Sequence, residues 1–109
     1  PEVSVDPRIQ RVLMHLATHY SEPSPQAELA RMIRLSPASF SRLFRRAIGR
    51  TFKSYVTDLR LSVACRQLLE TDEHISQIAF ATGFENLSSF NRIFRLRRGV
   101  TPGDFRRAR

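Results

Sequence analysis

Apolar residues recur at helical spacing along the whole chain, and no stretch alternates between apolar and polar positions for long enough to predict a strand. The longest irregular stretch covers only residues 21–25. The spacing therefore predicts an all-α protein. Its seven helices are expected at 7–20, 25–33, 37–48, 52–70, 75–82, 87–98 and 102–107.

Capping residues mark where these helices begin and end. A hydroxyl residue followed by proline suits the N-cap and the first helical position, and this pair occurs at Ser24, Ser36 and Thr101. Further N-cap candidates are Thr51 and Asn86. The glycines suited to end a helix are Gly49, Gly83 and Gly99.

A thirteen-residue segment occurs twice, fifty residues apart. Residues 39–51 read SFSRLFRRAIGRT and residues 89–101 read SFNRIFRLRRGVT, with seven identical positions. The similarity extends over 29–51 and 78–101, with one extra residue in the second turn. Each copy is a short helix, a tight turn and a second helix, so the chain is predicted to hold two helix-turn-helix units.

The second helix of each unit has two different faces. A helical projection places the apolar residues on one side: Phe40, Leu43, Phe44 and Ala47 in one unit, and Phe90, Ile93 and Phe94 in the other. The opposite side carries Ala38, Ser41, Arg42 and Arg45, and then Ser88, Asn91, Arg92 and Arg95. Packing explains the apolar side alone, because an ordinary solvated face would include acidic residues. None occurs between Pro37 and Thr57 or between Asn86 and Gly103.

The positive charge is concentrated where the repeats are. The chain has a net charge of +8, with 17 Arg and a single Lys against 10 acidic residues. Residues 1–36 have no net charge, and residues 37–109 carry the whole excess of positive charge. Arginine suits bidentate contacts to phosphates and base edges, and the major groove of B-DNA is wide enough for a helix. Two basic faces in two matching units therefore predict a surface for double-stranded DNA.

The predicted elements divide the chain into four parts. They are a linker remnant at 1–7, a first helix-turn-helix subdomain at 8–51, a linker helix at 52–70 and a second subdomain at 71–109. A helix over 52–70 would be roughly 28 Å long at about 1.5 Å per residue. Major-groove faces recur about every 34 Å along one side of B-DNA. We call the second helix of each unit, 37–48 or 87–98, a reading helix. The linker helix is therefore expected to space the two reading helices by about one DNA turn.

An enzyme is one alternative. His15 and His19 are four residues apart in HLATH, which places both on one helix face. Zinc proteases with this spacing need a glutamate after the first histidine, and Leu16 stands there, with no third-ligand pattern nearby. The pair is interpreted as partly exposed helix histidines, without a metal. Cys65 is interpreted as a small core residue, and one cysteine excludes an internal disulfide.

Two binding modules are further alternatives. A basic amphipathic helix can lie on anionic lipid, but its apolar face would have to be free, and packing needs both apolar faces here. No apolar run approaches the length of a membrane span. An architectural DNA binder would contact phosphates without base preference. Asn91 and the pair of Arg42 and Arg92 favour base reading instead, since these side chains suit base edges.

The residues just described resemble the DNA-binding domain of the AraC/XylS family of bacterial transcription regulators. The resemblance covers about 8–107 and is carried by 28–56, ELARMIRLSPASFSRLFRRAIGRTFKSYV, and by 59–107. The second stretch holds the positions closest to the family's C-terminal signature: Ile78, Ala79, Gly83, Phe84, Phe90, Arg92, Phe94, Gly99, Pro102, Phe105 and Arg106. The resemblance implies seven helices, with the third and sixth lying in successive major grooves.

The resemblance also implies contact residues. Base contacts are expected from Ala38, Ser41, Arg42, Ser88, Asn91 and Arg92. Phosphate contacts are expected from Ser36, Ser39, Arg45, Arg46, Lys53, Asn86, Ser89, Arg95, Arg97 and Arg98. Ala38 stands where relatives carry a larger side chain, so van der Waals contact is expected there. Arg97 projects toward the core side, and Arg60 is expected to be structural.

Further implied partners lie mostly outside this chain. Most family members carry an N-terminal sensing or dimerising domain, and the lead PEVSVD is expected to be the remnant of a linker to it. A small-molecule effector is expected only through that absent domain. Promoter or operator DNA is the expected partner and RNA polymerase a further candidate, with no cofactor, no membrane and no enzymatic activity. The expected location is cytoplasmic, at the bacterial nucleoid.

Overall fold

The computed structural model of the protein describes residues 6–23 and 25–109. Within these residues the chain forms seven α-helices and no strand, which confirms the predicted fold class. They are α1 (Pro7–His19), α2 (Pro25–Met32), α3 (Pro37–Ile48), α4 (Phe52–Glu70), α5 (Ile75–Ala81), α6 (Leu87–Arg98) and α7 (Pro102–Arg107). The first, second and fifth helices end one residue earlier than predicted. Residues 1–5 of the predicted linker remnant and the predicted cap Ser24 lie outside the described residues.

The predicted caps fix the ends of the reading helices. The Ser36 side chain accepts a hydrogen bond from the Ser39 backbone N–H at the start of α3, and Asn86 accepts one from Ser89 at the start of α6. Gly49 and Gly99 end these helices with φ of 82° and 81°, a backbone conformation in which a side chain is strained. Thr51 and Thr101 cap the helices that follow, through hydrogen bonds from the backbone N–H groups of Ser54 and Asp104. The two reading helices are therefore bounded in the same way.

The turn inside each helix-turn-helix unit depends on one residue in the left-handed conformation. This residue is Arg34 in the first unit, with φ of 60°, and Gly83 in the second, with φ of 103°. The backbone N–H of the following residue donates a hydrogen bond back to the first helix of the unit. Leu35 donates to the Ala30 carbonyl at 2.9 Å, and Phe84 donates to the Ala79 carbonyl at 3.1 Å. Glycine was predicted at this position in the second unit only. An arginine adopts the same strained turn in the first unit.

The chain forms two compact units, and the boundary between them lies within α4. The first unit ends at Thr57 and contains the first helix-turn-helix unit, and the second runs from Asp58 to Arg109 and contains the other. The first unit has an aromatic centre in which the rings of Phe40 and Phe44 both meet Phe52 edge-on, at 5.4 Å and 5.3 Å between centroids. The first unit also buries these apolar residues: Ile9, Val12, Leu16, Leu29, Ala30, Ile33 and Val56. The apolar side of α3 is therefore the core of this unit.

The second unit repeats this arrangement with its own residues. The rings of Phe90 and Phe94 lie 5.6 Å apart, and Phe84 and Phe105 pack edge-on against them. The surrounding buried residues are Leu61, Ala64, Leu68, Ile78 and Ala79. Cys65 is half-buried and packs against this core, as the sequence predicted.

Arg106 and Arg109, in and after α7, form hydrogen bonds with residues at the end of α4 and just beyond it. Arg106 donates hydrogen bonds to the backbone carbonyls of Leu68, Thr71 and Glu73, at 3.2, 3.2 and 2.7 Å. These groups lie at or just beyond the end of α4, where carbonyls lack intrahelical partners. Arg109 also donates to Asp72, which holds the pKa of that carboxyl below its usual value. Arg106 therefore ties α7 to the end of α4.

Candidate nucleic-acid interface

The two faces predicted for the reading helices are confirmed by burial. On α3 the side chains of Phe40 and Phe44 are fully buried, and on α6 those of Phe90 and Phe94 are fully buried. The residues expected on the opposite faces are all exposed: Ala38, Ser41, Arg42, Arg45, Ser88, Asn91, Arg92 and Arg95. Each helix therefore turns its phenylalanines inward and its arginines outward.

A shallow groove runs beside α3 within the first unit. We call it groove 1; its lining residues are Gln26, Ser41, Arg42, Arg45, Thr51, Phe52 and Lys53. Residues from α2, α3 and the start of α4 form its walls. Groove 1 thus brings together two predicted base contacts, Ser41 and Arg42, and two predicted phosphate contacts, Arg45 and Lys53.

The second unit has a corresponding groove beside α6. We call it groove 2; its lining residues are Ile75, Leu87, Asn91, Arg92, Arg95, Thr101 and Gly103. In the register of the repeat, Asn91, Arg92 and Arg95 stand where groove 1 has Ser41, Arg42 and Arg45. The two grooves differ at one charged position, because Gly103 replaces Lys53. The duplication in the sequence therefore produces two similar surfaces with one more cation on the first.

Arg42 lines two depressions beside α3. Besides bordering groove 1, it lines a second cleft with Arg8, Leu35, Ser39, Leu43 and Arg46. Its Nη2 donates a hydrogen bond to the Ser39 hydroxyl at 3.3 Å. The cleft adds a cation that sequence reasoning missed, Arg8, whose guanidinium pairs with Asp6 at 2.8 Å. Arg8 is far from α3 in sequence, so only the tertiary structure reveals it.

Gln26 is a second residue of groove 1 that the sequence did not single out. Its Nε2 donates a hydrogen bond to the Ser41 hydroxyl oxygen at 2.7 Å. With its oxygen engaged in this way, Ser41 keeps its own O–H to donate outward. Groove 2 has the apolar Ile75 at the matching position.

The small polar residues predicted to contact phosphate lie at the starts of the reading helices. Ser36 and Asn86 use their side-chain oxygens to accept the capping hydrogen bonds, so the Ser36 O–H and the Asn86 amide N–H groups remain as donors. Ser39 and Ser89 supply the N–H groups of these bonds and are half-buried. A helix N-terminus carries partial positive charge, which suits a phosphate.

The C-terminal arginines of α6 turn toward α4 rather than along groove 2. Arg97 forms an ion pair with Asp58 at 2.6 Å, and Arg98 donates to the Ser62 hydroxyl at 3.4 Å. The structure thus gives Arg97 a carboxylate partner within the protein, in accord with its predicted projection toward the core side. Neither arginine lines the groove that holds Arg92.

The remaining cations of the two surfaces have no such partner. Within residues 6–23 and 25–109, no carboxylate forms an ion pair with Arg42, Arg45, Arg46, Lys53, Arg92, Arg95 or Arg98. No carboxylate of the described residues therefore neutralises their charge. Arg60 differs from them, since it is half-buried on α4 and burial lowers the pKa of its guanidinium.

The histidine pair of α1 has a third potential ligand, which corrects the sequence analysis. The side chain of Glu22 lies close to those of His15 and His19. Sequence spacing did not reveal it because Glu22 follows the end of the helix, in the turn before α2.

The described helices include none that is long and apolar enough to cross a membrane.

Comparison with known proteins identifies similar chains. A family profile described as a helix-turn-helix domain matches residues 29–108. The transcriptional activator RhrA of Rhizobium meliloti (strain 1021) is 45% identical over 82 residues, covering 73% of this chain and 26% of RhrA. The C-terminal domain of AraT, a response regulator from Geobacillus stearothermophilus, has a TM-score of 0.91 at 27% identity, covering 96% of this chain and 88% of that chain.

A second solved structure is that of the DNA-binding domain of AdpA, a global transcriptional factor, in complex with a target DNA. It has a TM-score of 0.86 at 26% identity and covers 94% of this chain and 92% of that chain. Across eight curated regulators that it matches, the chain spans 12–39% of their length. The profile match, these similarities and the two helix-turn-helix units place the chain in one family: it belongs to the AraC-type family of helix-turn-helix domains.

Proposed function

We propose that the chain binds double-stranded DNA in a sequence-dependent manner, as the DNA-binding part of a bacterial transcription regulator. The observation that carries this proposal is the pair of matching grooves, each with exposed arginines that no carboxylate of the described residues neutralises. The similarity to the AdpA domain, whose structure contains a target DNA, supports the same function.

Base reading is assigned to the exposed faces of α3 and α6. Arg42 and Arg92 are exposed on their helices, and their guanidinium groups suit guanine O6 and N7 through bidentate hydrogen bonds. Asn91 suits adenine, and Ser41 donates its O–H while Gln26 holds its oxygen. Ala38 and Ser88 are small, so they let each helix approach the base edges closely. Ala38 itself would offer van der Waals contact, for example to a thymine methyl group.

Phosphate contacts are assigned to the cations and helix starts around these faces. Arg45, Arg46 and Lys53 line the surfaces beside α3, and Arg95 lines groove 2 beside α6. Arg98 is a further candidate at the end of α6, outside groove 2, where it donates to the Ser62 hydroxyl. The four helix-start residues, Ser36, Ser39, Asn86 and Ser89, add hydroxyl, amide and backbone donors. Such contacts set the position of the protein on the duplex and make its affinity depend on salt. Arg97 contributes less, because its charge is shared with Asp58.

The two helix-turn-helix subdomains, 8–51 and 71–109, are inferred to act as two readers joined by the helix at 52–70. One chain would then contact two major-groove segments, as a helix-turn-helix dimer does with two chains. The curated relatives are longer than this chain, so we infer that effector sensing and contact with RNA polymerase belong to a longer regulator. We assign the chain no catalytic role and no cofactor, and place its action at the bacterial nucleoid.

Binding to duplexes that differ at single base pairs tests the proposal. Arg42→Ala and Arg92→Ala are each expected to weaken binding to the preferred duplex by about 1–3 kcal/mol and to relax base preference at different positions. Arg11→Ala is the control, because Arg11 is an exposed arginine of α1 that lines neither groove. Equal losses on preferred and random duplexes would contradict base reading and favour an architectural binder.

A further inference from the structure

Three potential metal ligands come together at the end of α1. His15 and His19 lie one turn apart on one face of this helix, and Glu22 lies in the turn that follows. One ligand atom from each of the three side chains lies within 4.8 Å of the other two. We call these residues the His-His-Glu cluster. It belongs to the first unit and shares no residue with groove 1.

The two imidazoles are held side by side. Their rings stack with centroids 4.0 Å apart and planes 9° from parallel. His19 Nε2 lies 3.9 Å from the nearest carboxylate oxygen of Glu22, which is too long for a hydrogen bond. Ligand atoms around tetrahedral Zn²⁺ are about 3.3 Å apart, given bonds of about 2.0–2.1 Å. Because an imidazole nitrogen binds a metal in the plane of its ring, the two rings would turn out of their parallel stack to bring the three atoms to that spacing. None of the three side chains is fully buried, so this rotation is open to them.

The other ring nitrogen of His19 is already occupied. Its Nδ1 lies 3.0 Å from the backbone carbonyl oxygen of His15 and 2.8 Å from the Thr18 hydroxyl. Donation from Nδ1–H to a backbone carbonyl fixes the tautomer that leaves the Nε2 lone pair open. That lone pair is on the nitrogen nearest Glu22. Metal-bound histidines commonly have this second hydrogen bond.

An ion pair is the simpler interpretation of the same residues. It would join His19 to Glu22 across 3.9 Å and would not involve the His15 side chain. A cation between neutral histidines and the carboxylate accounts for all three side chains.

We propose that the His-His-Glu cluster binds one divalent transition-metal ion, with Zn²⁺ the best match. Two imidazoles and one carboxylate are ligands that Zn²⁺ accepts, and histidines four apart on a helix are a known arrangement for it. A fourth position remains for water or another donor. The ion would link the last turn of α1 to the turn that leads into α2, and so stabilise the first unit.

Calorimetric titration of the untagged, metal-free chain with ZnCl₂ tests this proposal. The expected result is one ion per chain, with binding lost in His15→Gln and His19→Gln and weakened at least tenfold in Glu22→Gln. Glu22→Gln keeps the shape of the side chain and removes its charge. The matched control is His74→Gln, because His74 is an exposed histidine of the second unit that makes no side-chain cap. Cys65→Ser controls for zinc bound by the thiol.

Thermal unfolding provides a second readout that does not involve DNA. Saturating Zn²⁺ is expected to raise the melting temperature of the parent chain and of His74→Gln by roughly 5 °C or more. The melting temperature of His19→Gln should not change when Zn²⁺ is added. Zinc binding that survives His19→Gln and Glu22→Gln, or that is lost in His74→Gln or Cys65→Ser, would overturn the proposal. So would the absence of a one-to-one titration in the parent chain.

Discussion

The Arg97 guanidinium lies 2.6 Å from the Asp58 carboxylate and joins α6 to α4 within the second unit. The matching position of α3 is Ala47, which cannot form such a pair. The side chains of Arg97 and Asp58 are 31% and 27% exposed, so the ion pair is partly accessible to solvent. The same sequence repeat thus supplies a structural contact in one unit and a small residue in the other.

This ion pair predicts that neighbouring arginines of α6 have different roles. Arg97→Ala is expected to lower the free energy of unfolding by about 0.5–1 kcal/mol and to change DNA affinity little. Arg95→Ala is expected to leave stability unchanged. It should lower the salt slope of DNA binding by about one unit, because it removes one phosphate contact. Denaturant unfolding and salt-dependent binding measure the two effects. A loss of salt dependence in Arg97→Ala as large as that in Arg95→Ala would refute this division.

The charge difference between the two grooves gives a second prediction. Lys53→Ala is expected to weaken binding to all duplexes alike and to lower the salt slope by about one unit. Gly103→Lys should raise the slope by about one unit, because it places a cation at the matching position of groove 2. A Cβ on Gly103 would lie at ordinary van der Waals distances from Arg107 Nη1, 3.5 Å, and Ile75 Cδ1, 4.0 Å, so a side chain can start there without a clash.

Gly103→Ala is the matched control for that experiment, since it adds a side chain without charge. Its salt slope is expected to equal that of the parent chain. An unchanged slope in Lys53→Ala would remove Lys53 from the phosphate contacts.

The strained turn of the first unit predicts a stabilising substitution. Arg34→Gly is expected to raise the free energy of unfolding by about 0.5–1 kcal/mol, because relief of left-handed strain exceeds the entropy that glycine costs. Gly83→Ala places a side chain at φ of 103°, beyond the left-handed region of about 50–70° that Arg34 adopts, and should lower the free energy of unfolding by about 1–2 kcal/mol. Arg34→Ala separates the effect of the backbone from that of the side chain, and should not stabilise. Stabilisation by Arg34→Ala equal to that by Arg34→Gly would show that the backbone is not the cause.

Truncation of the repeated phenylalanines tests the two-faced arrangement. Phe44→Ala and Phe94→Ala are each expected to cost about 3–5 kcal/mol of folding stability, because both rings are fully buried. Phe80→Ala is the control, since the Phe80 side chain is 79% exposed and its loss should change stability by about 0.5 kcal/mol or less. Thermal melting followed by circular dichroism distinguishes these outcomes. Unchanged melting of either buried variant would mean that its ring is not core.

The elements and faces of this chain are local properties, and the sequence predicted them. Helical spacing located the buried rings of Phe40 and Phe90, and capping preferences located Ser36 and Asn86 at the helix starts. The repeat itself revealed that both units share one plan.

Contacts between distant positions could not be predicted in the same way. Asp58 and Arg97 are 39 residues apart, and no local pattern connects them. Arg34 occupies a turn position where glycine is the usual signal, so the strain there is visible only in its backbone angle. Glu22 joins the histidine pair because the chain turns back after α1.

Selection of bound duplexes from a random DNA pool, at near-physiological salt and with this chain alone, tests the central claim most directly. Two readers on one chain predict two enriched sequence blocks about one helical turn apart. One of these blocks should lose its definition in Arg42→Ala and the other in Arg92→Ala. A single enriched block, or salt-sensitive binding without any enrichment, would contradict the claim that both units read bases.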